Sequence, residues 1–261
     1  MAQYNPFRSS FDQAKNFQKY SNLALWISAI ILSVTFMIDT LSDELSHISE
    51  FLNAVNCFFI LSFAVLSFIS SNISFNASST RRVDFIDNSF DSSYSENSSI
   101  EYYTNEDVIS GIYKMAVNSF ENSFFTLHIA EKMTKAMWLK NLIFALLILG
   151  FAIFGFNNAF ILLIQLTLPI LLIQEALNHT LFVYRINRVC ENFRRLFNDL
   201  KDESNPEKKK PEIILNVLEY ETTIASGSIL LDSKIYEEYN DELSKKWAEL
   251  KSEYNIGNIP A

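Results

Sequence analysis

The sequence predicts an all-α fold: a four-helix transmembrane bundle with a helical cytoplasmic middle segment and a helical C-terminal tail. Three observations lead there: four long apolar segments, the confinement of every Lys and Arg to one side of them, and helical spacing of apolar residues elsewhere. The apolar segments are Asn22–Ile38, Phe51–Ser70, Leu142–Phe156 and Ala159–Leu177. Each approaches the roughly 20 apolar residues that cross a bilayer as a helix.

The distribution of the 21 Lys and Arg residues predicts the topology. The connections between segments one and two and between segments three and four contain none, whereas the N-terminal tail, the middle segment and the C-terminal tail contain all of them. Because basic loops remain in the cytoplasm, we expect both termini and the middle segment to be cytoplasmic. A soluble all-α protein is the alternative, but core helices are seldom so apolar all round.

The chain therefore has five expected regions. They are an N-terminal amphipathic helix (1–21), a first transmembrane hairpin (22–70), a cytoplasmic junction and long helix (71–140), a second hairpin (141–183) and a cytoplasmic helical C-terminal region (184–261). The N-terminal helix, with Phe7, Phe11 and Phe17 at helical spacing, is expected either at the membrane interface or packed on the cytoplasmic part.

Composition and periodicity predict the elements inside these regions. Two Ser/Asn-rich stretches, Ser71–Thr80 and Ser92–Ser99, are expected to be loops. A long helix is expected to begin at Asn105, to tolerate Gly111 and to run into the third apolar segment. The fourth segment should continue as an Arg-rich helix to Leu200, and a linker (201–211) should lead to two helices that Gly227 separates.

Few patterns point to catalysis. The five glycines form no phosphate-binding array, and His47, His128 and His179 stand in three separate segments. We therefore expect no enzymatic activity, no metal and no cofactor. The net charge of −9 argues against nucleic acid as the main partner, because phosphate binding requires a concentrated basic surface.

The densest charged cluster follows the second apolar segment. Arg81, Arg82, Asp84 and Asp87 lie within seven residues of one another. A salt-bridged structural junction is one interpretation, and a contact with a ligand or partner that gates the membrane part is another. A catalytic centre is the least favoured interpretation, because the sequence offers no nucleophile or pocket beside these charges.

Polar residues within the apolar segments are the other candidates. Asn53 and Asn56 lie in the second segment, and Gln165 and Pro169 lie one turn apart in the fourth. Such residues most often hold helices together, but they can also line a water path shared by several subunits. Because one chain has few helices with which to bury them, we expect a homo-oligomer in the lipid bilayer.

The layout resembles the SMODS-associated four-transmembrane effectors of bacterial anti-phage signalling. The resemblance rests on the order of the elements and on two stretches: Arg81-Arg82-Val83-Asp84-Phe85 with Asp87 and Phe90, and the tail from Tyr220 to Trp247. It implies an effector that disrupts the bacterial inner membrane when a cytoplasmic sensor protein or a nucleotide second messenger reports infection. A membrane-anchored subunit that docks a cytoplasmic partner without forming a pore is the alternative, and a small channel or transporter accessory protein is a third possibility.

Overall fold

The computed structural model describes residues 5–41, 46–99, 102–103, 105–153, 159–202, 206–227 and 229–257. All regular structure in these ranges is helical, which confirms the all-α prediction. The helices are α1 (Arg8–Leu41), α2 (Ser46–Phe90), α3 (Ile112–Ile153), α4 (Ala159–Asp202), α5 (Lys210–Gly227) and α6 (Ser233–Glu253), with a short 3₁₀ helix at Pro206–Lys209 before α5.

Two helical stretches, Arg8–Asp39 and His47–Phe90, are long and apolar enough to cross a membrane. Only 6% of the most apolar window of the second is buried, whereas the core helix of a soluble protein is mostly buried. The length and hydropathy of both helices, and the low burial of the second, therefore support membrane association. The predicted third and fourth spans lie in α3 and α4, but most side chains between 144 and 172 fall outside the described part, so the four-span bundle remains a prediction.

The chain divides into two compact units. The polar unit comprises Met1–Ser9, Phe75–Ala136 and Asn178–Ala261, and the apolar unit comprises Ser10–Ser74 and Met137–Leu177. In the polar unit the core is aromatic: the Phe120 ring stacks on Phe193 and Phe197 with centroids 5.9 Å and 5.4 Å apart, and meets Trp247 edge-on. These rings are buried, so helices α3, α4 and α6 share one hydrophobic core.

The first two helices of the apolar unit pack along a seam of small residues. Ala14, Ser21, Ser28 and Thr35 are all buried and recur every seven residues along α1. On α2 the same spacing separates Ser49, Asn56, Phe63 and Ser70. Three hydrogen bonds cross the seam, from Ser70 Oγ to the Ala14 carbonyl (2.8 Å), from Ser21 Oγ to the Phe63 carbonyl (3.0 Å) and from Ser28 Oγ to Asn56 Oδ1 (2.6 Å).

The seam follows from elementary helix geometry. A seven-residue repeat keeps one stripe of each helix against its partner, and small residues there let two backbones approach closely. As the residue numbers rise along α1 they fall along α2, so the helices run antiparallel. The buried serine hydroxyls of this stripe thereby find acceptors on the opposite helix.

The predicted loop at Ser71–Thr80 is wrong, because these residues continue α2. The stretch contains no Gly or Pro to end the helix, and the Thr80 hydroxyl donates back to the Asn76 carbonyl one turn earlier. Such a bond lets a hydroxyl residue remain in a helix interior. Ala77 is buried in the polar unit, so tertiary packing outweighs the weak helix propensity of Ser and Asn.

The predicted helix start at Asn105 is also wrong, because α3 begins at Ile112. Gly111 has a φ of 139°, a backbone conformation that only glycine adopts readily, and this breaks the helical path. The continuation of α3 past Met133, the continuation of the fourth segment as a helix through Leu200, and the separation of two C-terminal helices near Gly227 are as expected. The predicted linker is shorter than expected, since α4 reaches Asp202 and α5 begins at Lys210.

The start of the chain packs on the polar unit. Phe7 is buried and meets the Tyr102 ring edge-on at 5.3 Å, and Arg8 pairs with Glu237 of α6 at 3.2 Å. Residues from Ser10 onward belong to the apolar unit. The packing alternative for the N-terminal helix thus describes its first residues.

Candidate functional site

The last turns of α2 place three charged side chains on one buried face. Arg81, Asp84 and Asp87 are spaced three residues apart, so they follow one another along the helix, and each is less than a tenth exposed. Arg82 points away from this face and is half-buried. The structure therefore brings together three of the four junction residues that the sequence singled out.

Asp87 holds the Ser-rich loop that follows α2. Its carboxylate accepts hydrogen bonds from the backbone N–H groups of Tyr94 (2.9 Å) and Ser95 (2.7 Å), and from the hydroxyls of Ser92 (2.8 Å) and Ser95 (2.6 Å). Partial burial would raise the pKa of this carboxyl, but the hydrogen bonds to Ser95, Tyr94 and Ser92 outweigh it and lower the pKa to about 2. The carboxylate is therefore ionised wherever the loop is closed.

Asp84 anchors the far end of the same loop. Its Oδ1 accepts the N–H of Ser99 at 2.7 Å, whereas its Oδ2 is buried and has no hydrogen-bond partner in the described structure. The loop Ser92–Ser99, which is non-helical as predicted, is thus tied at both ends to one face of α2. We call this arrangement the latch: Asp84, Asp87 and residues 92–99.

Arg81 connects the latch face to α5. Its guanidinium donates to Glu221 Oε2 at 2.6 Å, and the two side chains are only 9% and 18% exposed. Burial opposes the positive charge, but Tyr220 and Glu221 outweigh it and raise the pKa of Arg81 above its usual value. Breaking a buried pair of this kind strands a charge, so the pair fixes α5 against the end of α2.

A second polar network lies beside the latch and was missed at the sequence level. The Asn105 amide donates to Asn118 Oδ1 (2.9 Å) and to Glu121 Oε2 (2.7 Å), and the Asn118 amide donates to Asn88 Oδ1 (2.9 Å). These side chains join the segment before α3 to α3 itself and to the end of α2. Asn residues spread over the sequence carry no local signal that would have revealed the network.

The hydrogen bonds of the latch position the Ser92–Ser99 loop against α2. Among the described residues no group of three or more His, Cys, Asp or Glu side chains could hold a metal ion. The hydroxyls of Ser92 and Ser95 both donate to the Asp87 carboxylate. What the latch offers is a set of hydrogen bonds that an exchange of partners could open or close.

The four candidate pore positions have different outcomes. Asn53 is exposed on α2, on the side that also carries Cys57 and Ile60. Asn56 is buried between α1 and α2 of a single chain and bonds to Ser28, which fits the helix-packing alternative better than a water path. Gln165 and Pro169 lie within α4, and their side chains lie outside the described part.

In comparisons of the chain with protein-family models, with curated proteins and with solved structures, nothing matches.

Proposed function

We propose that this protein is a multi-pass effector of the bacterial inner membrane that assembles into a homo-oligomer and depolarises the membrane during anti-phage defence. In this proposal both termini and the polar unit lie in the cytoplasm, because basic segments remain on that side. The setting in defence derives from the resemblance of the junction and tail to four-transmembrane effectors. The mechanism derives from the burial pattern of the apolar unit.

The observation that carries the mechanism is an inversion of burial. In the apolar unit the small polar residues Ser21, Ser28 and Ser70 are at most 1% exposed, whereas Phe51, Phe58 and Phe68 are 65% or more exposed. A surface of large apolar side chains over a polar seam suits a lipid environment, where hydrogen-bonding groups must turn inward. In water the exposed apolar side chains of this helix pair would be unfavourably hydrated, so the pair favours a lipid environment.

Asn53 supports assembly. It is a polar amide on an exposed side of α2, where Cys57 and Ile60 follow it one and two turns further along. An amide facing hydrocarbon loses its hydrogen bonds with water, and an equivalent amide of a second subunit would restore them. Oligomers joined through this side would hide Asn53 and leave the phenylalanines to meet lipid or the neighbouring subunit.

The latch and the Arg81–Glu221 pair are the proposed input. They sit at the end of α2, the helix that also carries Asn53 and the exposed phenylalanines. Because α2 is one continuous helix from Ser46 to Phe90, opening the latch would alter the end of an element that reaches into the apolar unit. A cytoplasmic sensor protein or a nucleotide second messenger is the proposed trigger.

The direct test combines expression with a membrane-potential dye. Induction in bacteria is expected to collapse the potential and then to arrest growth, and Asn53→Leu should weaken both while membrane abundance is unchanged. Cys57→Ala, one turn further along the same exposed side, is the matched control and should behave as the wild type. Growth arrest at normal potential would favour the docking-subunit alternative, for which the separately packed polar unit would supply the docking surface.

Topology can be tested in the same cells. In a background with Cys57 and Cys190 replaced by Ala, single cysteines at Glu50 and at Ser244 should differ in labelling by a membrane-impermeant thiol reagent. Glu50→Cys is expected to react in intact cells and Ser244→Cys only after lysis. Labelling of the Ser244 site alone in intact cells would reverse the proposed orientation.

A further inference from the structure

A small cavity opens between α3 and α6 within the polar unit. Its volume is about 130 Å³, and it is open to solvent on one side. Its floor is apolar and includes the buried Leu243. The polar side chains around it are His128, Lys132, Tyr239, Glu242 and Lys246.

Helical spacing directs these side chains to one place. His128 and Lys132 are four residues apart on α3, and Tyr239, Glu242 and Lys246 are spaced by three and four on α6. The two ammonium groups outnumber the one carboxylate, so the lining is positive even with a neutral imidazole. In a chain of net charge −9, a positive concavity with low-dielectric walls concentrates anions locally.

Both lysines keep donors available to a ligand. Lys132 Nζ lies 4.4 Å from the centroid of the Tyr239 ring, a contact that engages its charge but none of its three N–H bonds in a directional hydrogen bond. Lys246 Nζ donates to Glu242 Oε1 at 2.6 Å in an exposed pair, which is a weak interaction that a ligand can displace. The pKa of Glu242 is lowered first by the hydrogen bond from Lys246, and Lys132 and His128 act in the same direction. All three basic side chains line the same cavity as Glu242.

We propose that this cavity binds a small phosphate-class oxyanion between Lys132 and Lys246. Binding sites for whole drug-sized ligands measure about 300 Å³ or more, so this volume suits one phosphoryl-sized group. The anion is either free phosphate or the phosphoryl group of a larger metabolite whose remainder extends into solvent through the open side. The site is separate from the latch and does not depend on the permeabilising function.

The test uses the full-length protein in a phosphate-free maltoside detergent and inorganic phosphate as the probe, followed by titration calorimetry. Saturable binding is expected, and Lys132→Gln and Lys246→Gln should each weaken it about fivefold to tenfold, the loss of a charge-assisted hydrogen bond. Lys135→Gln and Lys245→Gln are matched controls. Both remove the same charge from exposed lysines on the same helices, but neither residue lines the cavity.

The control lysines decide the outcome. Unchanged affinity in Lys135→Gln and Lys245→Gln, together with weakened affinity in Lys132→Gln and Lys246→Gln, supports a built site. An equal loss in all four variants means that only the overall charge matters, and unchanged affinity in all four means that Lys132 and Lys246 do not hold the anion; either result overturns the proposal. Absence of saturable binding at millimolar phosphate overturns it too. Lys132→Arg, which retains the charge, should retain binding, and this separates loss of the ligand contact from loss of folding.

A sugar phosphate titrated in parallel distinguishes the two sources of the anion. Equal or weaker binding of the monoester than of phosphate identifies free phosphate as the ligand. Tighter binding of the monoester identifies the phosphoryl group of a larger metabolite.

Discussion

The polar and apolar units are both built from helices, but they bury opposite kinds of side chain. In the polar unit the fully buried side chains include Phe120, Phe193 and Phe197, and charged groups lie mostly outside. In the apolar unit the seam serines Ser21, Ser28 and Ser70 lie inside, whereas Phe51, Phe58 and Phe68 lie outside. Since the hydrophobic effect buries apolar surface only where the surrounding medium is water, the comparison indicates that the two units are built for different solvents.

The largest expected effect comes from removing one phenylalanine ring from each unit and comparing the losses of stability. Phe120→Ala should destabilise the protein by about 3 to 5 kcal/mol, because it leaves a cavity among Phe193, Phe197 and Trp247. Phe58→Ala should change stability little, because the Phe58 ring is 65% exposed. Position 58 faces lipid or detergent both in the wild type and in the variant. Chemical denaturation of the full chain in detergent, followed by near-ultraviolet circular dichroism, measures both.

Equal losses for the two variants would mean that Phe58 is buried in the protein, most simply in a subunit interface. Cross-linking of the Phe58→Ala variant would then show reduced assembly. A small effect of Phe120→Ala would contradict the aromatic core itself.

The second prediction concerns the buried ion pair of the polar unit. Arg81→Met should lower stability by about 3 kcal/mol or more, because it leaves the Glu221 carboxylate buried without its partner. The less stable Arg81→Met variant should also be less abundant in the membrane. The double variant Arg81→Met with Glu221→Leu should recover most of that abundance, since two apolar side chains replace two charges. Arg82→Met, at a half-buried neighbour outside the pair, is the matched control.

The double variant also shows whether the Arg81–Glu221 pair has a role in signalling or only in the stability of the fold. If it restores abundance but the dye still reports a normal membrane potential, the pair transmits the signal as well as holding the fold. Recovery of both abundance and depolarisation would make the pair purely structural.

Some of this architecture was accessible from sequence because it is local. The apolar runs in α1 and α2 and the helical continuation of α3 and α4 follow from periodicity within a few turns. The recurrence of small residues at Ala14, Ser21 and Ser28 is also a sequence property, since it is a seven-residue repeat, but it is not part of the pattern of apolar residues that predicts the helices. Period-seven small residues within an apolar run are the signal to look for.

The rest was not accessible, for physical reasons that differ by residue. Arg81 and Glu221 are separated by 140 positions, so only the tertiary fold brings them together. The Ser71–Thr80 segment was assigned by composition, yet Ser and Thr favour loops only while their hydroxyls compete with the backbone, and here Thr80 donates within the helix. The bonds of Asp87 depend on the path of an irregular loop, which no periodicity describes.

The third prediction follows from the depressed pKa of Asp87. Because this pKa is about 2 in the folded protein, the latch bonds stabilise the loop fully above about pH 4, the ordinary value for aspartate, and the contribution is lost as the pH falls through about 2. Asp87→Asn should cost on the order of 1 to 2 kcal/mol above that window. Pepsin cleavage within residues 92–99 reports loop opening across this acidic range.

The difference in cleavage rate between the wild type and Asp87→Asn should be large near pH 4 and should shrink toward pH 2. Asp91→Asn is the control, because Asp91 is exposed and its φ of 55° suits Asn as well as Asp. A difference that stays constant over the whole range would show that the Asp87 charge does not hold the loop.

The smallest expected effect lies in the seam of the apolar unit. Ser28→Ala removes the 2.6 Å bond to Asn56 Oδ1 and should cost about 1 kcal/mol, the usual size of a hydrogen bond between membrane helices. Ser33→Ala is the matched control, since the Ser33 hydroxyl donates within its own helix to the Ala29 carbonyl. A double-mutant cycle with Asn56→Ala in nanodiscs isolates the pairwise term.

The cycle distinguishes a seam within one chain from a path between chains. If Ser28 and Asn56 couple in each monomer, the interaction energy is about 1 kcal/mol and does not change with protein concentration or with Asn53→Leu. If Asn56 instead turns toward a water path upon assembly, the coupling should vanish once oligomers form, and Asn53→Leu should restore it. The effect of Asn53→Leu on the coupling energy thus decides whether the Ser28–Asn56 bond persists in the oligomer while the exposed side of α2 forms the contacts between subunits.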